Sequence, residues 1–312
     1  MIAGVTPVSI RLPGTGKTHN TSETGYDWKG GLLKQKIMTY AFDSETESSQ
    51  VSDGHWQMHM VSDWNIGNNP NGGYLLACLL RAMAKLVPDT PDPVAVTTHY
   101  LRPGLTGKRA ELHASVLRQG RRTSTVTGTM EQDGKSRITC TATFANLNDG
   151  ASSQNDGSDD ATRNLSIAPP DLPPPDECTS RSELVQGVEL PIMNRLDIRV
   201  DPKYADSGVH KDAVITGWIR MRDERPADLL ALPLFCDSFP PSVFTLYGPI
   251  GWVPTIELSV HIRRQPLPGW IKGAFTTNDL AGNLFIEDGM LWDENDQLVA
   301  QSRQLQMILS KS

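Results

Sequence analysis

One carboxylate stands in a stretch that would otherwise be buried. Asp237 follows the apolar run Leu234-Phe235-Cys236 and precedes Pro240-Pro241. A carboxylate among apolar side chains can take a proton from a water molecule and so act as a general base. Two structural roles stay open beside that one. Asp237 could cap a helix that breaks at the prolines, or it could pair with an arginine.

Two of the seven histidines, His99 and His261, lie at corresponding places on two predicted strands. An imidazole titrates near neutral pH and could serve as an acid or a base. A histidine ring on a strand face is more simply a neutral, hydrogen-bonded group. We predict that simpler role for both residues.

The four cysteines are scattered along the chain and form no C-x-x-C pair. They are Cys78, Cys140, Cys178 and Cys236. We predict buried free thiols, two of them in helices and one in a strand, without a disulfide. The sequence predicts no metal site and no bound cofactor.

The bulk composition sets limits on the function. The chain has 312 residues, of which 38% are hydrophobic and 21% charged, and its formal net charge is −7. This length allows two domains of common size. The acidic balance argues against nucleic acid as a partner, because that kind of binding needs a cationic face. No apolar run approaches the roughly 20 residues of a membrane span, so none is predicted.

The elements that would position these residues occur twice. In the first half, a predicted helix from Gly72 to Val87 precedes a predicted strand, Val94–Tyr100. In the second half, a predicted helix from Leu229 to Tyr247 precedes the predicted strand Thr255–Ile262. Two long strands joined by a turn follow in each half, and a further strand is predicted at Thr39–Phe42. Two diverged copies of one unit suggest that one copy kept a site and the other kept the scaffold.

Composition divides the chain into four parts. Residues 1–38 are rich in Gly, Thr, Ser and Lys without an apolar period, which is typical of a disordered tail. Residues 149–180 begin rich in Ser, Asp and Gly and end rich in Pro, which indicates a linker. The two predicted domains, 39–148 and 181–309, lie on either side of that linker.

Four short motifs follow one another along the chain. They are Asn69-Pro70-Asn71-Gly72-Gly73-Tyr74, Tyr100-Leu101-Arg102-Pro103-Gly104, Leu117-Arg118-Gln119-Gly120-Arg121 and Leu298-Val299-Ala300-Gln301-Ser302-Arg303-Gln304. Their order and spacing resemble the acyl-CoA thioesterase II family over about residues 39 to 309. The resemblance implies an α+β fold, the double hotdog, in which two antiparallel sheets each wrap a long central helix.

The resemblance also implies an activity, the hydrolysis of acyl-CoA thioesters to free acid and CoA. In that family an Asp, a Thr and a Gln hold one water, and they fall on Asp237, Thr255 and Gln304 in the second hotdog. The aspartate would take the proton of the water, while the hydroxyl and the neutral amide would position it. The chain departs from the family at Glu257-Leu258, where Asp-His is common. It also departs at Ile262-Arg263-Arg264-Gln265-Pro266, where Phe-His-Arg-Pro is usual.

Gly72 and Gly73 open the first helix, and the first N–H groups of a helix lack intrahelical partners. We predict that N–H groups near Gly73 bind the carbonyl oxygen of the substrate as charge develops on it. The alternative is that both glycines only let the helix pass close to the sheet. Asn69 and Asn71 lie near the place where single-hotdog thioesterases carry an acid. Because asparagine is no base, the first unit is interpreted as structural and substrate-lining.

Three arginines near one turn could meet the phosphates of CoA or could simply be solvated. They are Arg118, Arg121 and Arg122. Two other functions also stay open. A hotdog protein could bind acyl-CoA, or act as a scaffold, without turnover. A hydratase would carry a histidine after an Asp-x-Asn turn, and none follows Asp63-Trp64-Asn65.

Two expectations concern the whole protein. Two hotdogs in one chain mimic a hotdog dimer, and such units often pair again through their sheets, so a homo-oligomer is expected. The terminal Ser310-Lys311-Ser312 lacks the leucine of the peroxisomal signal, so a cytoplasmic location is expected.

Overall fold

A computed structural model describes residues 39–147 and 165–309. The predicted tail, residues 1–38, and the first half of the predicted linker lie outside the described residues. The strands in chain order are β1 (Ser49–Ser52), β2 (His55–His59), β3 (Asn65–Ile66), β4 (Asn69–Pro70), β5 (Asp92–Tyr100), β6 (Arg109–Arg118), β7 (Thr123–Gln132), β8 (Lys135–Ala145), β9 (Thr179–Ser180), β10 (Leu196–Val200), β11 (Ala213–Met221), β12 (Thr255–Ile262), β13 (Ile271–Ala281), β14 (Leu284–Trp292) and β15 (Leu298–Met307).

Within the described ranges, thirteen strands form one continuous antiparallel sheet in the order β1-β2-β6-β7-β8-β5-β12-β15-β14-β13-β11-β10-β9. The order β6-β7-β8-β5 in the first half corresponds to β13-β14-β15-β12 in the second, so the predicted internal repeat is present. β5 and β12 pair at the junction, from Glu257 opposite His99 to His261 opposite Ala95. The prediction of two separate sheets is therefore wrong. Pairing β5 with β12 satisfies two rows of backbone groups that would otherwise form exposed sheet edges.

The long helix of the first half, α2 (Gly72–Ala84), lies where the sequence predicts it. Asn71 caps the helix, because its side-chain oxygen accepts a hydrogen bond from the Tyr74 N–H at 3.0 Å. Ten of its 13 residues are buried. Strands β5 to β8 pack against it, as expected for a helix that is apolar on a wide face.

The second half contains two short helices among its described residues, α3 (Ala231–Cys236) and α4 (Phe244–Tyr247). The prediction of one long helix from Leu229 to Tyr247 is therefore wrong. The helix ends before Asp237 because Pro240-Pro241 follows: proline lacks an N–H and disfavours helical geometry in the residue before it. As a result α3 is short, and it packs against the start of α2.

A short helix, α1 (Ala41–Thr46), stands where the sequence predicts the strand Thr39–Phe42. A run of four residues carries too little periodicity to distinguish the two structures. The described part of the predicted linker lies against the second half. The indole N–H of Trp218 donates to Pro173 O and that of Trp292 donates to Ile167 O, both at 2.9 Å. No helix in the ranges described here is long and apolar enough to cross a membrane.

Candidate active site

A cavity of about 280 Å³ opens where the N-terminus of α2 meets the C-terminus of α3. Both halves of the chain contribute to its wall. Its apolar lining residues include Ile66, Leu75, Phe239, Phe244, Trp252 and Val253. Its polar lining residues include Asp237, Thr255, Glu287, Gln304 and Gln306. The three residues that the family resemblance singles out therefore face one common space.

Asp237 is fixed by hydrogen bonds from the first half of the chain. Its Oδ2 atom accepts from the Gly73 N–H and from Asn71 Nδ2, both at 2.9 Å. Asn71 Nδ2 also donates to the backbone oxygen of Asp237 at 2.7 Å. Because Oδ2 has two donors, Oδ1 is the carboxylate oxygen left for a substrate or a water. The hydroxyl of Thr255 lies 3.5 Å from Oδ1.

Thr255 links the carboxylate to the amide of Gln304. The Thr255 hydroxyl lies 3.2 Å from Gln304 Oε1 and accepts a hydrogen bond from Gln306 Nε2 at 3.3 Å. Gln304 and Gln306 are 3% and 4% exposed, so this face of β15 is a buried site and not a solvated surface. The structure thus brings together Asp237, Thr255 and Gln304, which are remote in the sequence.

The surroundings of Asp237 raise its pKa to about 6. The largest cause is burial, which disfavours the charged form, and the nearby carboxylate of Glu287 acts in the same direction. The Gly73 N–H, the Arg181 guanidinium and the Thr255 hydroxyl oppose the shift because they stabilise the anion. The carboxylate is therefore mostly ionised at neutral pH and is a stronger base than a solvated aspartate.

The two glycines at the start of α2 have different surroundings. The Gly73 N–H is already bonded to Asp237, so it is not free to bind a substrate oxygen. Its lack of a side chain is required, since a Cβ there would lie 2.7 Å from Leu234 Cα. Gly72 lines the cavity, and its N–H is the first of the helix. Within the described residues, no hydrogen bond of the Gly72 N–H corresponds to the one that Gly73 makes with Asp237.

A buried carboxylate, that of Glu287, lies behind Gln304. Glu287, on β14, is 3% exposed. Its Oε1 atom accepts from Gln304 Nε2 at 2.7 Å, and its Oε2 atom accepts from the Ser242 N–H at 2.6 Å. Burial raises the pKa of Glu287 above its usual value, while these donors lower it. Gln304 therefore connects Thr255 on one side with the Glu287 carboxyl group on the other.

One buried cation offsets part of this negative charge. Arg181 is 2% exposed and donates to the backbone oxygen of Ser238, the residue after Asp237. Its second amino group donates to Gln186 Oε1 at 3.3 Å. Burial lowers the pKa of Arg181 to about 10, so the guanidinium keeps its charge at neutral pH. It stabilises the ionised form of Asp237 without a direct ion pair.

The cavity also contains a thiol and a phenol. Burial raises the pKa of Cys236 to about 12, so this thiol is protonated and a poor nucleophile at neutral pH. The ring of Tyr100 lies against Gly72, and its pKa is raised well above the usual value, chiefly by burial. The four cysteines are all buried and unpaired. Among the described residues, no group of three or more His, Cys, Asp or Glu side chains could hold a metal ion.

Several residues with predicted or possible roles lie elsewhere. His99 and His261 are exposed and do not line the cavity. The same is true of Arg118, Arg121 and Arg122, for which CoA binding and simple solvation were the two alternatives. Arg102 is the arginine of the first half that does line the cavity.

Comparison with known proteins decides the family. Residues 60–145 match the model of the acyl-CoA thioesterase N-terminal domain, and residues 169–308 match that of the acyl-CoA thioesterase C-terminal domain. The chain belongs to the acyl-CoA thioesterase family. The two matches lie in the two halves of the sheet, so each half corresponds to one domain of an acyl-CoA thioesterase.

Individual proteins are similar to this chain over most of its length. The structure of a candidate thioesterase II from Thermobifida fusca YX is 28% identical, with a TM-score of 0.75 over 88% of this chain and 99% of that one. A protein of unknown function with a hotdog fold from Alicyclobacillus acidocaldarius is 24% identical, with a TM-score of 0.72 over 88% and 100%, and shows the shared fold. The uncharacterised protein Rv0499 of Mycobacterium tuberculosis is 24% identical over 287 residues, covering 85% of this chain and 94% of the relative.

Two charged residues of the candidate site, Glu287 and Arg181, were not found from the sequence. Glu287 is followed by Asp288 and Gly289, and adjacent polar residues of this kind are typical of a solvent-exposed strand. A signal was nevertheless present, because strand alternation places Glu287 on the same face as the apolar Phe285 and Leu291. Arg181 gave no comparable signal, since it lies in a turn between the linker and β10.

Proposed function

We propose that this chain hydrolyses acyl-CoA thioesters with a water held by Asp237, Thr255 and Gln304. The observation that carries the proposal is the position of the Thr255 hydroxyl, 3.5 Å from Asp237 Oδ1 and 3.2 Å from Gln304 Oε1. Three groups that could bind one water thus face a cavity whose other walls are largely apolar. Membership of the acyl-CoA thioesterase family supports the same reaction and substrate class.

The hydrogen-bond pattern suggests how the water would be oriented. Asp237 Oδ1 and Gln304 Oε1 are both acceptors, and a water molecule has two protons to give them. Its lone pair is then directed away from both oxygens and can attack the thioester carbon. As the new C–O bond forms, Asp237 takes one proton, and the carbonyl π electrons move to oxygen. Asp237 acts here as a general base and forms no covalent intermediate.

The next step requires stabilisation of the oxyanion. The Gly72 N–H, at the positive end of α2, is the donor that we assign to that oxygen. Collapse of the tetrahedral intermediate re-forms the C=O bond and breaks the C–S bond. The departing CoA thiolate takes the proton from Asp237, which restores the base and completes the balance of atoms.

A panel of acyl-CoAs of increasing chain length tests the reaction itself. A disulfide-exchange dye reports free CoA thiol, and we expect continuous thiol release with at least one member of the panel. Saturable binding without thiol release would support the non-catalytic alternative. Loss of enoyl absorbance without thiol release would indicate hydration instead.

Two glutamines on β15 provide a matched pair of variants. Gln304 faces the cavity, whereas Gln301 is exposed on the opposite side of the same strand. Gln304→Asn withdraws the amide by one methylene, and misplacement of that size should lower kcat by about 10- to 100-fold. Gln301→Asn is the control and should keep the wild-type rate. Equal rates for both variants would contradict the role assigned to Gln304.

A further inference from the structure

The amide of Gln304 is bonded at both ends, and the two ends differ in kind. Its nitrogen donates to the Glu287 carboxylate at 2.7 Å, and its oxygen lies 3.2 Å from the Thr255 hydroxyl. A carboxamide is a donor at its nitrogen and an acceptor at its oxygen. Its orientation therefore decides whether a donor or an acceptor faces the cavity. Thr255 does not decide it, because a hydroxyl can donate to an oxygen or accept from a nitrogen.

The second contact of Glu287 excludes the alternative arrangement. Its other oxygen accepts from the Ser242 N–H at 2.6 Å, and a backbone N–H can only donate. An ionised carboxylate is acceptor-only, so it receives both donors without conflict. The flipped Gln304 amide would place its oxygen against a carboxylate oxygen at 3% exposure, which is strongly unfavourable. An anion at this position therefore permits only one amide orientation.

We infer that Glu287 is a positioning residue that holds the Gln304 oxygen toward Thr255 and the attacking water. The inference rests on the proposed function and adds a residue behind the water site to it. Glu287 also lines the cavity, but this role requires no contact with the substrate. It acts through Gln304, whose oxygen can accept a proton of the water only while its nitrogen is bound elsewhere.

The Glu287→Gln variant changes this polarity at nearly constant shape. The new side chain has one acceptor, and the Ser242 N–H requires it. The amide nitrogen of the new side chain then faces Gln304. The Gln304 amide must therefore turn its oxygen toward position 287. The Gln304 amide nitrogen, a donor, would then face the cavity in place of the amide oxygen, an acceptor. We expect kcat to fall by about 10- to 100-fold, with KM changing by less than about threefold.

A pH profile separates this role from a purely structural one. The charged or titratable groups around Asp237 are Arg181, Glu287, Tyr100 and Cys236, and the Arg181 guanidinium keeps its charge at neutral pH. The negative charge of Glu287 disfavours the Asp237 anion. Removing it in Glu287→Gln should move the acid limb of kcat/KM to lower pH. A loss of packing alone would lower the rate without moving that limb.

The Glu287→Asp variant separates the effect of the Gln304 amide orientation from the effect of the charge at position 287. It keeps the negative charge but withdraws the carboxylate by one methylene, so kcat should fall while the acid limb stays in place. Asp288→Asn is the control: Asp288 is the adjacent residue on β14 and bonds to Arg303 away from the cavity. That control should keep both the rate and the profile of the wild type.

The outcomes distinguish the two proposals. A wild-type protein that releases no thiol from any acyl-CoA contradicts the proposed function. An active wild type together with folded Glu287→Gln and Glu287→Asp variants at wild-type kcat overturns the role of Glu287 alone. If Glu287→Gln does not fold, the kcat of folded Glu287→Asp decides the question.

Discussion

At the scale of single residues, the site depends on a carboxylate that is partly buried yet mostly ionised at neutral pH. Burial raises the pKa of Asp237 to about 6, which strengthens it as a base. The ionised form of Asp237 is stabilised by the Gly73 N–H, the Asn71 amide and the Arg181 guanidinium, so it prevails at neutral pH. A base near the operating pH is what general base catalysis requires.

The pKa of Asp237 predicts the pH dependence of activity. The base must be deprotonated to act, so activity should be near its full value at neutral pH, should be half of that value near pH 6, and should fall further at lower pH. The measurement is kcat/KM from pH 4.5 to 8.5 with one acyl-CoA. A plateau that continues down to pH 4.5 would contradict the assignment of Asp237 as a buried base.

The sequence identified the three residues that we propose to hold the water, but not the charged residues around them. Asp237, Thr255 and Gln304 follow from motifs of the family, and the structure brings them together. Glu287 and Arg181 could not be placed in this way, because their role depends on which side chains meet across strands and turns. Gly73 was expected to bind substrate oxygen, but its N–H belongs to Asp237.

At the scale of elements, the site forms where the start of α2 touches the end of α3. The contact is close because Gly73 has no side chain: a Cβ would lie 2.8 Å from Pro233 O. Backbone atoms cannot move aside as the tip of a flexible side chain can. The contact of these two helices therefore sets the position of Asp237 relative to Asn71 and Gly73.

Gly73→Ala should separate the two helices. We expect a loss of stability of about 1–3 kcal/mol from overpacking and a fall in kcat of at least about tenfold as Asp237 shifts. Urea unfolding and thiol release measure the two effects. Ala84→Gly is the control, since it changes one methyl group at the far end of the same helix and should cost about 1 kcal/mol without loss of kcat. Wild-type kcat in Gly73→Ala would contradict this account.

The two helices also show what local sequence patterns can predict. The spacing of Leu75, Leu76, Leu79, Leu80 and Met83 defines α2 because all of these residues are buried on one long helix. The stretch from Leu229 to Tyr247 is equally apolar, but its prolines divide it. Apolar content alone cannot reveal that division, whereas the proline pair can.

At the scale of the whole molecule, one sheet joins both family domains. Leu258 lies at the junction, fully buried and paired with Thr98 on one side and Gln304 on the other. The two predicted sheets form one sheet because β5 is the edge strand of the first half, β12 is the edge strand of the second half, and these two strands pair. Motifs within a half carry no information about that pairing, so the sequence alone did not predict it.

The shared sheet predicts coupled stability. Leu258→Ala should cost about 2–5 kcal/mol and should weaken both halves together. Native-state hydrogen exchange measures this in β7 of the first half and β14 of the second. Leu284→Ala, at a 38% exposed position, is the control and should change little. Loss of protection in β14 with β7 unchanged would mean that the halves unfold independently.

The most direct test of the central claim compares the wild type with Asp237→Asn. The new amide oxygen can still accept from Gly73 and Asn71, and the change removes a partly buried charge, so the variant should fold. It cannot take a proton from water. With the acyl-CoA that the wild type hydrolyses fastest, we predict a fall in kcat of about 10²- to 10⁴-fold at pH 8. A folded Asp237→Asn variant that releases CoA within threefold of the wild-type rate would contradict the account.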